Sequence, residues 1–583
     1  SGIAESATTG ELADQMALMD GVLGTAAKYG LPTGLIMKKL GLERIANNLE
    51  NHIVTELNHR GKFDLFEEKT RRILGDGLIG TSRFNKIKDH LAIVMDLERY
   101  VDRKESGILT RAEEKLFEKA YNSDVLIKNK DGNLIFNSKS KSRPNGYEKQ
   151  TDAINKKSKE GQVLLEWDNL ADYMFKSFHT AVKMNLSPTE YSNFVKENKI
   201  KWIRDNIYVS RLITNKFKRK FNLSSKALND LVIKQAEPVA RELAKEKYNT
   251  DKPTNEQIGS VFEDAKNIVH SNLYDLFNFG KGRHKSRFLQ KRHVKLPEFV
   301  EIDGKKIQVY EHKYEQTLKT YALGMSKFLA NTEVFPEYVE IKGFDFGGQK
   351  AALNKLSTAN AKWGAWAQKQ VEKQLGYGRN FADYKDHATG LLANVAQVLA
   401  KTQLSFPTSG FKNLVLGQTA TMQAFRTTDY FRSLVKTMSR EFRDEVRKSG
   451  GLEIGLRELN ELRGSKILNT VFWFGGMKPS ENFNRYMSVA MSRLQQERLA
   501  SRLQSKRSTK KQLEKAERRL TKFYGLNSDQ IALLKKYGMG GVDGYKFKSE
   551  YAMEKERRSV ELVYNKMDTM AHVKTQGATA ELF

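Results

Sequence analysis

The chain contains no cysteine. Disulfides and thiolate metal sites are therefore excluded, and no compartment follows from redox chemistry. Proline is scarce, with nine residues in 583, widely spaced. Few helix breakers, with long tracts of Ala, Leu, Lys, Glu, Arg and Gln between them, make a helix-forming composition. A bilayer-spanning run is also missing. The longest apolar patch, Val471 to Met477, falls well short of the ~20 apolar residues needed to cross a membrane. No secretory leader pattern opens the chain. It starts Ser1-Gly2-Ile3 without an initiator Met, as expected of a processed product, an expressed portion or a piece of a larger polypeptide.

Positive charge is abundant. Lys plus Arg number 99 against 70 for Asp plus Glu, a formal net charge of +29. Self-repulsion of that size disfavours a compact chain. Held against a phosphate polymer, the same charge gains counterion release and long-range attraction. Nucleic acid is the expected partner. A generally solvated basic surface and an anionic membrane surface are the rival readings. Apolar residues make up 39% and aromatics 10%, enough to bury a core and too many for a chain disordered throughout. At this length roughly three or four packing units are expected, in a mainly α, elongated, multi-domain protein with one or two small β-hairpin insertions.

The organisation follows from turn residues and periodicity. Residues 1–120 read as an N-terminal region of several short helices. Met16 to Leu40 splits around Tyr29-Gly30-Leu31-Pro32, and Ile87, Leu91, Val94, Met95 and Leu97 mark one later helix face. Residues 121–160 hold a hairpin and a basic linker. Apolar runs at Asp124 to Ile127 and Asn133 to Phe136 flank Asn129-Lys130-Asp131-Gly132, an Asp-Gly hairpin signal. A basic helical domain is expected at 161–295. A small β-containing insertion follows at 296–350, with Phe299 to Ile302, Asp303-Gly304 and Lys305 to Tyr310 as a second hairpin and Val334 to Phe346 as a further strand or two. Residues 351–537 form a C-terminal helical domain. There Phe483, Tyr486, Met487, Ala490, Met491 and Leu494 make one buried stripe, and Ser528 is placed to cap a helix. Gly538, Gly540, Gly541 and Gly544 begin a flexible joint and tail at 538–583. No solenoid repeat is evident.

Three basic clusters stand out. The first is Lys216, Lys218, Arg219 and Lys220 beside Phe217 and Phe221. The second is Lys281, Arg283, Lys285, Arg287, Lys291, Arg292 and Lys295, interleaved with His284, Phe288 and His293 and free of acids. Gly280 and Gly282 loosen its backbone for wrapping phosphates, and Phe288 can stack on an unpaired base. The third is Lys506, Arg507, Lys510, Lys511, Lys515, Arg518, Arg519 and Lys522 against Glu514 and Glu517, read as an exposed helix face with i,i+3 and i,i+4 pairs. The first two are the candidate nucleic-acid site, with a solvated loop as the other reading of the second. Contacts of this type address the phosphate backbone and carry no base specificity.

A search for catalytic constellations finds none. His52 and His59 share a helix face but lack the H-E-x-x-H pattern. Asp383, Asp386 and His387 read as a surface turn. Gly343 to Gly348 lacks the Lys-Ser/Thr ending of a phosphate loop, and no G-x-S-x-G occurs. Glu166 and Asp168 flank Trp167, but residues two apart do not face each other on a helix, so a paired-carboxylate site is not expected. No metal site, cofactor or catalytic residue is assigned. Two apolar, glycine-containing stretches, Leu404 to Gln418 and Ile467 to Met477, are read as core, with subunit or membrane packing as the alternative.

Residues 400–540 carry three short motifs: Ser-Phe-Pro-x-x-Gly-Phe-Lys-Asn-Leu at 405–414, Glu481-Asn482-Phe483-Asn484-Arg485 opening a helix, and Phe523-Tyr524-Gly525-Leu526 before another. Together they resemble the large internal virion, or ejection, proteins of tailed bacteriophages. The resemblance implies a protein stored with the genome in the virion interior and delivered to the host cell envelope or cytoplasm. It implies binding to DNA, contact with other virion proteins such as portal or tail, homo-oligomers and host membrane contact. It transfers no catalytic residues. Other readings are part of a virion-packaged enzyme, an RNA polymerase or a peptidoglycan hydrolase, and a structural neck, portal-associated or capsid component.

Overall fold

The structure, a computed structural model, describes residues 37, 40–74, 126–128, 134–136, 159–197, 214, 217, 225–277, 299–302, 305–310, 314–339, 349–375, 407–450 and 477–580. It is mainly helical, as the composition requires. In chain order the elements are α1 (Glu43–Leu74), β1 (Leu126–Lys128), β2 (Leu134–Phe136), α2 (Lys159–Asn185), α3 (Pro188–Glu197), α4 (Ser225–Tyr248), α5 (Asn255–Gly259), α6 (Phe262–Phe277), β3 (Phe299–Ile302), β4 (Lys305–Gln308) and α7 (Tyr314–Val334). There follow α8 (Gln349–Ala359), α9 (Ala361–Leu375), α10 (Pro407–Ala424), α11 (Tyr430–Met438), α12 (Arg440–Lys448), α13 (Met477–Gln504), α14 (Lys510–Lys522), α15 (Ser528–Tyr537) and α16 (Glu550–Ala580).

Contacts divide the chain into two units of interleaved sequence. The first holds Ser1–Glu68, Tyr173–Lys199 and Ser326–Phe583; the second holds Lys69–Asp172 and Ile200–Met325. The changeovers at Glu68, Asp172 and Met325 fall inside α1, α2 and α7, and a helix interior has no turn residue or composition shift to mark them.

In the second unit, both expected hairpins form. β1 and β2 pair antiparallel with Leu126 opposite Phe136, and β3 and β4 with Phe299 opposite Gln308. The second hairpin is more than an appendage. Ile307, Val309 and Tyr310 are buried with Phe217, Val239, Ala240, Ala265 and Val269, so its chain completes the core between α4 and α6. The further strand expected from Val334 is absent over the described part. Val334 ends α7 and Pro336–Tyr338 form a 3-10 turn, because Pro336 presets a helical φ and donates no ladder hydrogen bond. Residues 340–346 lie outside the described residues, as do Met16 to Ile36 and Ile87 to Leu97.

The first unit is organised around α13, which packs against α10, α11, α12, α14, α15 and α16. The expected stripe is buried at Tyr486, Met487, Ala490 and Met491, while Phe483 and Leu494 are half-buried. The opposite side is buried too: Asn484, Arg485, Ser488, Ser492 and Gln496 are all inside. Each is hydrogen-bonded, as burial of polar groups demands. Asn484 accepts from Gln418 Nε2 (2.6 Å) and donates to the Asn413 carbonyl (2.8 Å). Arg485 pairs with Glu481 (2.7 Å), Ser488 meets Thr575 (2.8 Å), and Ser492 meets the Tyr524 hydroxyl (3.1 Å). The motifs at 405–414 and 481–485 are thus direct packing partners.

Two expectations at the C-terminal end are corrected. The cap of α15 is Asn527, whose side chain accepts from Gln530 N, with Ser528 as the first helical residue. Where a flexible joint and tail were expected from 538, the described residues up to 580 form tight turns and the helix α16. Gly538, Gly541 and Gly544 adopt positive φ in turns tied to α16: the Tyr564 hydroxyl donates to the Gly538 carbonyl (2.6 Å) and accepts from Gly541 N (3.3 Å). From α16, Val563, Met567 and Ala571 enter the same core as Met487 and Leu520. Within 1–120, of which 37 and 40–74 are described, α1 is a single helix of 32 residues.

The approach of α10 to α13 requires Gly417. A Cβ there would lie 2.1 Å from Asn484 Nδ2, so a methyl displaces the Asn484 side chain from its bonds to Gln418 and the Asn413 carbonyl. Gly417→Ala is expected to destabilise the protein by about 1–3 kcal/mol, seen as a lower urea midpoint with an unchanged m-value. Gln423→Ala, exposed on the same helix, should leave the midpoint in place.

Candidate nucleic-acid interface

Of the expected nucleic-acid contacts, Lys281, Arg283, Lys285, Arg287, Phe288, Lys291, Arg292 and Lys295 lie outside the described residues, as do Lys216, Lys218, Arg219 and Lys220. Phe217, between them, is in the second unit's core and fully buried. Its backbone N–H is capped by Thr214 Oγ1 (3.2 Å).

The third basic cluster is described, and it is an exposed face. α14 starts with a capping box: Gln512 N donates to Thr509 Oγ1 (3.4 Å) and Thr509 N to Gln512 Oε1 (3.0 Å). Reciprocal capping of this kind satisfies two of the orphan donors at a helix start. Ala516 and Leu520 face inward, four apart, and pack with Tyr524 and Leu526. That fixes the outward side. Lys511, Lys515, Arg518 and Lys522 recur at i, i+4, i+7 and i+11, and all are exposed. At 1.5 Å rise per residue they form a line about 16 Å long, with neighbours ~5–6 Å apart along the axis. Lys506 and Arg507, just before the helix, and Lys510 in its first turn are exposed as well. The i,i+3 and i,i+4 pairs expected from Glu514 and Glu517 are absent among the described ion pairs, so these bases keep their charge free for a partner.

Arg519 belongs to the cluster in sequence only. Its guanidinium lies over the Phe523 ring (3.8 Å) and donates to the Ala424 carbonyl (2.6 Å) and to Gln495 Oε1 (3.2 Å). It joins α14 to α10 and α13. A second group of cations went unremarked in the sequence: Arg426, Arg432, Arg440 and Arg443 are exposed around α11 and α12. They are spread among acids and apolar residues, so no run of basic residues announces them.

A dense set of titratable groups among the described residues lies elsewhere in the first unit, and it is buried. Arg558 of α16 donates through Nε and Nη2 to both carboxylate oxygens of Glu333 on α7 (2.9 and 3.0 Å). Its Nη1 reaches Asn58 of α1 (3.1 Å) and Glu561 (3.0 Å). His59 Nδ1 meets the Tyr173 hydroxyl of α2 (3.0 Å), and its Nε2 stands 3.8 Å from Glu333, beyond hydrogen-bond reach. Burial pushes the Glu333 carboxyl up, but the Arg558 charge and the imidazole beside it prevail and hold it at about 2. Burial lowers His59, and it brings the Lys62 ammonium down to about 7. His572, enclosed beside Arg485, is lowered well below its usual value by burial.

Perturbed groups in a cluster call for a catalytic reading, but both oxygens of Glu333 are committed to Arg558. The carboxylate serves as a structural anion rather than a free base. A cavity of about 350 Å³ beside it is lined by Glu333, Thr55 and carboxamides including Asn51, Asn185 and Gln349. Asn185 is spent on the terminal carbonyls of α7, Thr332 and Glu333 (both 3.0 Å). Among the described residues no group of His and acidic side chains is placed to hold a metal ion. His52, expected on one face with His59, is fully buried between Asn331 Oδ1 (2.7 Å) and Gln374 Nε2 (3.2 Å). Glu166 pairs with Lys69 (2.8 Å). Asp383, Asp386, His387 and residues 343–348 lie outside the described residues.

No protein family, curated protein or solved structure matches the chain.

The buried groups set the pH dependence of stability. His59 and His572 resist protonation when folded, so as pH falls below 6.5 the unfolded state binds protons that the folded state refuses, and stability drops. Glu333 adds stability that is complete above 4.5 and lost as pH falls toward about 2. Lys62 acts with the same sign above about pH 7. The urea midpoint is therefore expected to fall on going from pH 6.5 to about pH 5 and again below about pH 4. His572→Leu, which removes an imidazole whose Nδ1 has no hydrogen-bond partner, should flatten the first of these steps and leave the second.

Proposed function

We propose that this protein binds nucleic acid through the phosphate backbone, without reading sequence. The observation that carries the proposal is the line of exposed bases Lys511, Lys515, Arg518 and Lys522, outside any described ion pair, on a chain of net charge +29. Positive groups at that spacing neutralise phosphates and release condensed counterions. Side chains of this kind position a duplex and carry no base code. The basic segments 216–220 and 281–295 extend the same chemistry in sequence.

The setting proposed for this activity is the interior of a tailed-bacteriophage virion, with the protein accompanying the genome and assisting its delivery. The motifs at 405–414, 481–485 and 523–526 support that setting by resemblance. They act in packing: Asn413 donates to Glu481 (3.1 Å) and Tyr524 to Gln495 (3.0 Å).

The test is affinity for duplex and single-stranded DNA over a salt series. Wild-type affinity should fall linearly in a log–log plot, with a slope near −0.9 per neutralised phosphate on duplex. Changing Lys511, Lys515, Arg518 and Lys522 to Ala should make the slope shallower by up to about 3–4, with no loss of thermal stability. Changing Lys285, Arg287, Lys291 and Arg292 to Ala in parallel measures the share of that segment. Binding that is insensitive to salt, or no binding near physiological salt, contradicts the proposal.

A further inference from the structure

α11 leaves much of its apolar surface uncovered. Its sequence is Tyr430-Phe431-Arg432-Ser433-Leu434-Val435-Lys436-Thr437-Met438. The covered side holds Ser433 and Thr437, with Tyr430 and Leu434 half-buried against the core beside them. Ser433 is fully enclosed and Thr437 nearly so, and Thr437 Oγ1 turns back on the Leu434 carbonyl (2.7 Å) and toward Met487 Sδ (3.9 Å). Ser433 Oγ has no hydrogen-bond partner. Apolar side chains face out: Phe431 is 75% exposed, Val435 70% and Met438 69%. These positions are i, i+4 and i+7, one contiguous stripe. Small side chains against α13 allow close packing, but an exposed stripe of a Phe, a Val and a Met gains nothing from water.

The stripe's surroundings select its occupant. Arg426 shortly before α11, Arg432 on it and Arg440 and Arg443 on the contacting α12 are exposed, and none is in a described ion pair, whereas Lys436 is matched by Glu497 (3.8 Å). Of the acids facing outward on α12, Glu445 is committed to Arg493 (2.7 Å), leaving Glu441. A second copy of this chain, seated face to face, would set those arginines against each other. A nucleic-acid backbone matches the charge but offers nothing to Val435 and Met438. The stripe protrudes, since its residues are about three-quarters exposed, so it suits insertion into a soft phase rather than reception of a rigid ligand. Apolar side chains entering the acyl boundary while flanking guanidinium groups meet lipid phosphates is how interfacial helices bind.

We propose that the outward face of α11, with Phe431, Val435 and Met438 as its inserting residues and the neighbouring arginines as its charged rim, docks on the surface of an anionic lipid bilayer. Its inserting residues are distinct from the bases of the α14 face, and it does not rest on nucleic-acid binding.

The test uses the full chain and co-sedimentation with vesicles of phosphatidylcholine, with and without phosphatidylglycerol. Wild type should bind the anionic vesicles and not the neutral ones. The triple variant Phe431→Ser, Val435→Ser, Met438→Ser should bind them about tenfold or more weakly, with its thermal midpoint and DNA affinity retained. The variant lacking Lys511, Lys515, Arg518 and Lys522 should keep more vesicle affinity than the triple variant. As an independent readout, Phe431→Trp should give a blue-shifted emission difference from wild type when anionic vesicles are added. No wild-type binding to anionic vesicles, or a triple variant that binds as wild type, overturns the proposal. So does a wild-type dimer that the triple variant converts to monomer, which assigns the stripe to a second copy.

Discussion

An unpaired charge is very costly to bury, and the first unit is arranged around that constraint. Arg558 and Glu333 meet away from water through two parallel hydrogen bonds. Removing either partner would leave the other as an isolated ion in a low-dielectric interior. The pair also fixes a geometry. A planar guanidinium accepts a carboxylate in few orientations, and its remaining N–H groups reach Asn58 and Glu561. α1, α7 and α16 are thereby held at one point. His59 and Tyr173 bring in α2, whose end is tied to α16 by Tyr551, with its hydroxyl on the Lys183 and Leu186 carbonyls (3.1 and 2.9 Å).

The same constraint sorts the rest of the positive charge. Cations taken inside are matched: Arg485 with Glu481, Arg493 with Asp568 (3.1 Å), Arg498 with Asp429 (2.9 Å) and Arg447 with Asp64 (3.0 Å). The last three join separate elements, while Arg485 and Glu481 pair within α13. Outside, Lys511, Lys515, Arg518 and Lys522 on α14 and Arg426, Arg432, Arg440 and Arg443 near α11 are unmatched among the described ion pairs, while Lys436 of α11 pairs with Glu497 (3.8 Å). That surplus supports a polyanionic partner for α14 and, where it rims an apolar stripe, an anionic interface for α11.

Local signals were legible in the sequence. Asp131-Gly132 and Asp303-Gly304 are turn chemistry acting over a few residues, and both hairpins formed there. The stripe from Phe483 to Leu494 located α13 but not its depth, because periodicity identifies an apolar edge and is silent about whether Asn484 and Ser488 on the other edge are also covered. The glycines from 538 to 544 suggested looseness. In the structure their positive φ makes tight turns that Tyr564 secures. Arg558 could not have been picked out, since it sits in a stretch as charged as any surface helix and only the fold brings Glu333 to it. For α11 the pattern puts Phe431, Val435 and Met438 on one edge, and nothing in it says whether that edge is covered. The basic segment at 506–522 was readable as an exposed helix face but not as the candidate site, which the sequence put at 216–220 and 281–295, outside the described residues; the structural role of Arg519 depends on Ala424 and Gln495, both distant in sequence.

The most direct test of the claim that one buried ion pair holds this unit's helices together is a double-mutant cycle, read by urea unfolding near neutral pH, on Glu333→Gln, Arg558→Met and the two combined. Each single change is expected to cost about 3–5 kcal/mol by stranding a buried charge or its partner groups. The double variant should lose clearly less than the sum, with a coupling above about 1 kcal/mol. Single changes that each cost under about 0.5 kcal/mol, or costs that simply add, would contradict the account.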